Sequence, residues 1–332
     1  MKFWTKVVLT LLILVALFYV LSTRTIPTEV TYGVSFSKLH ADELNLDWKA
    51  TYRALLEDLG VQHLRLSATW PMIEPREGEF DFSALDYQMR LAETHGADVV
   101  LAVGRKTPGW PECHFPDWTT ELDLEKEHSA RLTYMKAVVE RYKTSPALRY
   151  WQVENEPFLN FATERCGIVD EKFFAEEIAL VRTLDPQHKV IVTDGGEFGV
   201  WRKAHRYGDV FGSTMYLYVW TKHIGYWRYP IGAGFFTFKQ NIIDWMFGSK
   251  PMVLIELGLE PCLHKPIVDT SLDEQLQHMD MGRFEEIIGF AKQSGFSEQY
   301  LWGGEWWYYM KEKGHPEFWE RAKSMFEENK AQ

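Results

Sequence analysis

An α/β architecture, with parallel strands and helices in alternation, is what this sequence predicts, on three observations. Short apolar runs alternate with amphipathic stretches from residue 29 almost to the C-terminus. Two of those runs, residues 148–153 and 252–255, lead into a carboxylate and then a proline or glycine, at Glu156-Pro157 and Glu256-Leu257-Gly258. The chain has 332 residues, 46% of them hydrophobic, enough for one large core, and an eight-stranded α/β barrel commonly takes about 250 residues. Closing such strands side by side aims two acids, distant in sequence, into one cleft.

The elements follow in order. A first strand is expected over residues 30–36 and a helix over 46–59, closed by Gly60. Residues 63–67 (HLRLS) alternate, so Arg65 should point into the barrel. Residues 70–82 (WPMIEPREGEFDF) read as a loop from their proline and glycine content. Ser83 is expected to cap the next helix, with Leu85, Met89, Leu91 and Ala92 as its apolar face before Gly96. A strand over 99–103 runs into a loop carrying Trp110, His114 and Trp118, and a helix over 124–142 follows.

The strand over 148–153 continues into Glu154-Asn155-Glu156 and stops at Pro157, which has no N–H for a ladder. A spacing of two puts Glu154 and Glu156 on one strand face, with Glu154 deeper and facing a basic or hydrogen-bonding group. Strands are expected over 189–193 and 209–216. Residues 219–239 hold three Phe, two Tyr and two Trp. These aromatics can wall a cleft, pack under a helix or touch a membrane. After the strand over 252–258, Glu260 lies beyond the ladder, where its position is less constrained than that of Glu256. A helix over 272–293, a strand over 299–303 and a terminal helix over 315–329 complete the chain. There is no internal repeat, low-complexity tract or second domain, so residues 29–332 are read as one unit.

The formal charge of −11 argues against a nucleic-acid partner, which favours a basic face. Residues 7–21 are apolar except for Thr10, with Lys2 and Lys6 ahead of them. Residues 1–28 therefore read as an uncleaved membrane anchor with the domain outside the cytoplasm, or as a cleaved secretion signal. Export permits disulfides. Cys113, Cys166 and Cys262 each follow a strand end; Cys113 and Cys166 follow consecutive strands and form the expected pair, leaving Cys262 over. Metal binding is disfavoured because no CxxC or HxxxH spacing occurs. The 14 tryptophans serve equally as core filler or as platforms for sugar rings.

Asn155-Glu156-Pro157 and Ile255-Glu256-Leu257-Gly258 resemble the ends of strands four and seven in clan A glycoside hydrolases, (β/α)8 TIM barrels. The nearest likeness is to the cellulase-like family 5 and to families 39 and 42. Residues 70–82 are similar to the clan's stretch after strand two, in which Glu74 is structural. The resemblance implies that Glu156 is the general acid/base and Glu256 the nucleophile. It also implies that Arg65 supports the nucleophile, Asn155 reaches the sugar 2-hydroxyl and Tyr216 hydrogen-bonds the nucleophile, with Tyr218 the choice in a shifted register. A last-strand tryptophan floors the sugar site in the clan, and Trp302, Trp306 and Trp307 are all available for it. Trp110 and Trp118 are further platform candidates. The chain departs from many family 5 members in having no histidine at the end of strand three. The implied reaction is retaining hydrolysis of a β-linked glycoside or polysaccharide, with a carbohydrate partner and neither metal nor organic cofactor. Two alternatives are a membrane-anchored, non-catalytic glycan-binding barrel, which often lacks one of the two acids, and transglycosylation at the same site.

Overall fold

A computed structural model describes residues 4–10, 29–109, 112–159, 166–167 and 169–330. Trp110 and most of the expected N-terminal segment, residues 1–3 and 11–28, lie outside the described residues. No described helix is long and apolar enough to cross a membrane.

Eight parallel strands close into a barrel in the order β1-β10-β9-β6-β5-β4-β3-β2. They are β1 (Thr31–Ser35), β2 (His63–Ser67), β3 (Asp98–Val103), β4 (Leu148–Val153), β5 (Lys189–Asp194), β6 (Val210–Met215), β9 (Met252–Gly258) and β10 (Glu298–Trp302). Strands β7 (Tyr218–Thr221) and β8 (Gly225–Arg228) form a separate antiparallel hairpin. This is the (β/α)8 architecture anticipated from the alternation of elements.

Strand alternation divides the core in two. Val100, Ile191, Val210, Val253, Ile255 and Tyr300 form a cluster of their own. Their neighbours Val99, Leu101, Val190, Val192, Leu254 and Leu301 belong to the larger cluster shared with the helices. Each such buried aliphatic contributes roughly 1.5–3 kcal/mol. Gly33 is required where it stands, because a Cβ there would come within 2.7 Å of the Tyr300 ring and 2.8 Å of the His63 carbonyl oxygen.

Several local expectations are corrected. The stretch after β2 is not all loop: Trp70–Ile73 is a short helix, and proline in a first turn sacrifices no helical hydrogen bond. Ser83 does not cap the helix Ser83–Thr94; it is the first helical residue, and its amide donates to Asp81 Oδ1 at 2.8 Å. The helix expected over 272–293 is two helices, Leu272–His278 and Met281–Lys292. Asp280 breaks it by taking extended backbone and accepting from the Arg283 amide at 2.8 Å. Gly304–Glu312 is an additional helix. The aromatic stretch after β6 divides between the β7–β8 hairpin and the helix Gly234–Phe247.

Candidate active site

The site begins where β4 stops being a strand. Glu154 and Glu156 both have positive φ, 56° and 43°, which costs non-glycine residues of order 1–3 kcal/mol each and needs strong fixing. The fixing comes from the β3 loop. The Glu154 amide donates to the Val103 carbonyl at 2.9 Å and the Asn155 amide to that of Lys106 at 2.7 Å. In return, the Glu154 carboxylate accepts from the amides of Arg105 at 2.7 Å and Lys106 at 2.5 Å. Gly104 makes room: a Cβ on it would sit 2.5 Å from Glu154 Oε1.

Glu154 and Glu156 therefore do not share a strand face, because alternation holds only while the backbone stays extended. The Glu154 carboxylate has Arg131 Nη1 at 3.5 Å, in a buried set with Glu127 and Glu177. A basic partner was expected there; its place among the helices was not. Glu156, 6% exposed, is held by its amide to Thr193 Oγ1 at 2.8 Å. Lys106 Nζ grips its carbonyl at 3.1 Å, and its carboxyl accepts from Thr214 Oγ1 at 2.8 Å.

Glu256 reaches the same place by another route. The pairing of β6 with β9 shifts register between Ser213 and Thr214, so that Ser213 aligns with Leu254 but Thr214 aligns with Glu256. Strand β9 thus carries one residue more than β6, a bulge of the kind common beside active sites. The displaced Ile255 carbonyl is taken by Arg65 Nη1 at 3.3 Å and Ser35 Oγ at 3.4 Å. Glu256, 5% exposed, accepts from Arg65 Nη1 and from the Tyr216 hydroxyl.

Arg65, 1% exposed, is the hub. Its Nε donates to Gln152 Oε1 at 2.8 Å and its Nη2 to Asn155 Oδ1 at 2.7 Å. One guanidinium therefore joins Glu256 to the residue next to Glu156. Thr214 makes the second link, since it bonds Glu156 and lies in register with Glu256. The structure brings Arg65, Asn155, Glu156, Tyr216 and Glu256 together. Tyr218, the choice in a shifted register, points elsewhere, with its hydroxyl on Glu286 at 2.5 Å.

The two acids have unlike surroundings. Glu256 faces a cation and a phenol. Glu156 has one hydroxyl, and its pKa is held well above the ordinary carboxylate value by burial first, then by the negative charges of Glu112 and Glu256. Glu112 is a third carboxyl at the site, paired with Lys106 Nζ at 3.3 Å and itself raised, chiefly by burial. Nothing in the sequence marked Glu112 except its place beside Cys113. That cysteine is bonded to Cys166, with Cα atoms 5.6 Å apart, as the strand order suggested; Cys262 is free. Thr193, Thr214 and Glu197, whose Oε1 accepts the Tyr216 amide at 2.9 Å, also escaped the sequence reading. Hydroxyls and second acids at strand ends are too common to stand out.

The aromatic candidates separate. Trp302, at the end of β10, stacks on His40 at 5.6 Å and donates to Glu260 Oε1 at 2.8 Å. Glu260 is accordingly well fixed, with His40 Nε2 2.9 Å from its other oxygen. Trp306 and Trp307 are fully buried and present no face to a ligand. Trp306 is an internal residue of the helix Gly304–Glu312, bonded to Gln275 Oε1 at 2.9 Å, so it is corrected to a core residue. Trp118 packs edge-on against Trp70 and donates to the Glu74 carbonyl at 3.1 Å. His114 is buried rather than solvated, with Nε2 3.1 Å from the Gly109 carbonyl. Among the described residues no group of three or more His, Cys, Asp or Glu side chains is arranged to hold a metal.

Residues 43–133 match glycoside hydrolase family 42, described as beta-galactosidase. The chain is 28% identical over 155 residues to beta-galactosidase BgaB of a Geobacillus species, covering 40% of this chain and 23% of that one. It is 29% identical over 203 residues to mannan endo-1,4-beta-mannosidase A of Podospora anserina, 53% of this chain and 50% of that one. It thus spans less than a third of the first beta-galactosidases it matches. Among solved structures, a family 5 mannosidase from Rhizomucor miehei superposes with a TM-score of 0.57 at 15% identity, covering 81% of this chain and 80% of that one. A family 5 protein from Bifidobacterium longum, solved with Manb1-4GlcNAc, gives 0.56 at 13% identity, over 82% and 68%. With its closed eight-stranded barrel, the chain has the TIM-barrel fold and is similar over part of its length to glycoside hydrolases of clan A.

Proposed function

We propose that the protein hydrolyses a β-linked glycoside with retention at the anomeric carbon, by double displacement between Glu256 and Glu156. The observation that carries this reading is the convergence of two buried glutamates on Thr214, one hydrogen-bonded to it and the other in register with it. The beta-galactosidase and mannosidase relatives support a β-galactoside or β-mannoside as substrate.

Glu256 attacks the anomeric carbon while Glu156 gives its proton to the departing oxygen. Arg65 and Tyr216 hold the attacking carboxylate and stabilise its negative charge. Glu156, now ionised, takes a proton from water, and that water displaces Glu256 from the sugar. Burial and two negative neighbours suit Glu156 to arrive protonated. Retaining enzymes hold such carboxyls about 5–5.5 Å apart, which leaves no room for an intervening water. In this reading Asn155, fixed by Arg65, binds the sugar 2-hydroxyl, and Trp302 stacks on the ring face. Transfer to a sugar hydroxyl instead of water uses the same groups and appears in the assay as a lengthened product.

The test is turnover of aryl β-galactosides and β-mannosides by the full chain in detergent. Glu156→Gln and Glu256→Gln should each abolish turnover with the melting temperature nearly unchanged. Azide should restore turnover to Glu256→Ala and yield a glycosyl azide of inverted configuration. Full activity in either glutamine variant sinks the proposal.

A further inference from the structure

Away from the site, the helix Gly234–Phe247 has two unlike faces. Phe236 and Ile243 are buried in the core. On its outer side Trp245 is 85% exposed, Met246 54%, Phe247 42% and Ile242 39%. Isolated exposed apolar residues are ordinary; four within six residues, led by an almost bare tryptophan, form a patch.

Its place in the barrel gives the patch meaning. Each barrel helix runs back from the mouth and ends where the next strand starts. Only residues 248–251 separate Phe247 from β9. Lys250 Nζ donates to the Gly208 carbonyl at 2.6 Å, and the Phe211 amide to the Pro251 carbonyl at 3.0 Å, both at the start of β6. The patch therefore lies at the base, where the strands begin. That is the end at which the chain enters β1, and the end opposite Glu156 and Glu256. Exposed Arg202, Lys203 and Arg206 stand on the adjoining helix Arg202–Tyr207, and the Arg202 guanidinium lies 5.8 Å from the Phe247 ring.

The chain approaches this end from the apolar run of residues 7–21. In the described part of the leading segment Trp4, Val8 and Leu9 are all exposed, at 71%, 53% and 58%. Residues 22–30 are the only link between that run and β1, and nine residues reach at most about 32 Å. A bilayer entered by the run thus lies within one barrel height or so of the base. At such a tethered distance even a weak patch stays engaged, because its effective concentration is high.

We propose that the Ile242–Trp245–Met246–Phe247 face rests in the interfacial layer of the bilayer that the N-terminal run enters, with the catalytic mouth turned away from the lipid. Tryptophan with aliphatic neighbours suits the headgroup level, and a flanking basic helix suits anionic lipid.

The test uses the full chain in phosphatidylcholine vesicles containing phosphatidylglycerol and a lipid with a photoreactive acyl chain. Adducts are mapped by mass spectrometry. Adducts are expected on the peptide carrying residues 242–247 as well as on the N-terminal run. The peptide with Phe198 and Val200, which are equally exposed but follow β5 at the mouth, should carry none. Replacing phosphatidylglycerol with phosphatidylcholine should lower the yield at 242–247 more than that at the N-terminal run. Trp245→Ser with Phe247→Ser should reduce the helix adducts at least tenfold and leave those of the N-terminal run. Adducts confined to the N-terminal run, equal labelling at 198–200, no adducts at all, or cross-links between two chains at this helix would each overturn it.

Discussion

The ends of β4 and β9 both deliver a glutamate to the mouth, and each does so by breaking strand regularity in its own way. Strand β4 abandons extended backbone, placing Glu154 and Glu156 at positive φ and stitching them to the β3 loop. Strand β9 keeps its ladder and adds a residue. The first device surrounds Glu156 with burial and negative charge; the second sets Glu256 against Arg65 and Tyr216. On the proposed mechanism, the group that holds and releases a proton and the group that carries charge are built by different backbone means.

Substitutions can break or sharpen this contrast. The largest effect is expected from Arg65→Met, which removes the donor that distinguishes the β9 acid. It should lower kcat by about 10²–10³-fold, the range for losing one preorganised donor to developing charge. It should also lower the melting temperature, because Glu256 and Asn155 lose a buried partner. Unchanged kcat in steady-state assays would remove the difference between the two acids.

Next comes the pair of tryptophans. Trp306→Ala should cost about 3–5 kcal/mol of stability in denaturant titrations, as large-to-small core changes do, with KM unaltered. Trp302→Ala should raise KM about tenfold, since stacking on a ring contributes on the order of 1 kcal/mol or more. The reverse result would return Trp306 to the sugar site.

Glu305 tests whether burial alone raises an acid near the mouth. Burial pushes its carboxyl up to about 7, while its Oε1 accepts the Ser37 amide at 2.5 Å. The folded state then binds a proton more tightly than the unfolded chain does. Its contribution is most favourable below the ordinary carboxylate value and declines as pH rises through about 7. Thermal melts from pH 4 to 8 should show a loss on the order of 1–3 kcal/mol that Glu305→Gln flattens.

The smallest effect is expected from Glu112→Gln. Removing this negative neighbour should lower the pKa of Glu156, because like charge nearby favours the neutral form. The alkaline limb of the kcat/KM profile, where Glu156 loses its proton, should move down by about half a unit to one unit. No movement would leave burial and Glu256 as the causes of the raised value.

Much of this was readable from residues alone. The bounds of β4, β9 and the helix Leu124–Tyr142 agree with the sequence reading, because long apolar periodicity between clear stop signals leaves little freedom. Arg65 could be aimed inward because β2 alternates cleanly. What escaped shares one cause: it depends on irregular backbone or on partners far along the chain. The outward turn of Glu154 needs a positive φ that glutamate rarely adopts, enforced by amides about fifty positions earlier. Glu112 matters only because a disulfide and Lys106 hold its loop over the mouth. The break at Asp280 was hidden by continuous apolar periodicity on either side.

The bulge in β9 has a bearing on how this chain is compared with others. Ile255 belongs to the cluster inside the barrel and Leu257 to the outer one, while Glu256, between them, is also turned inward toward Arg65. Two successive side chains face the axis only because of the added residue. Deleting Ile255 would restore strict alternation along the strand and keep its carboxylate inward, but would remove the carbonyl that Arg65 and Ser35 hold. An alignment to an unbulged strand that places a gap there keeps the glutamate opposite an inward residue, whereas one without the gap sets it against a residue on the other side of the wall.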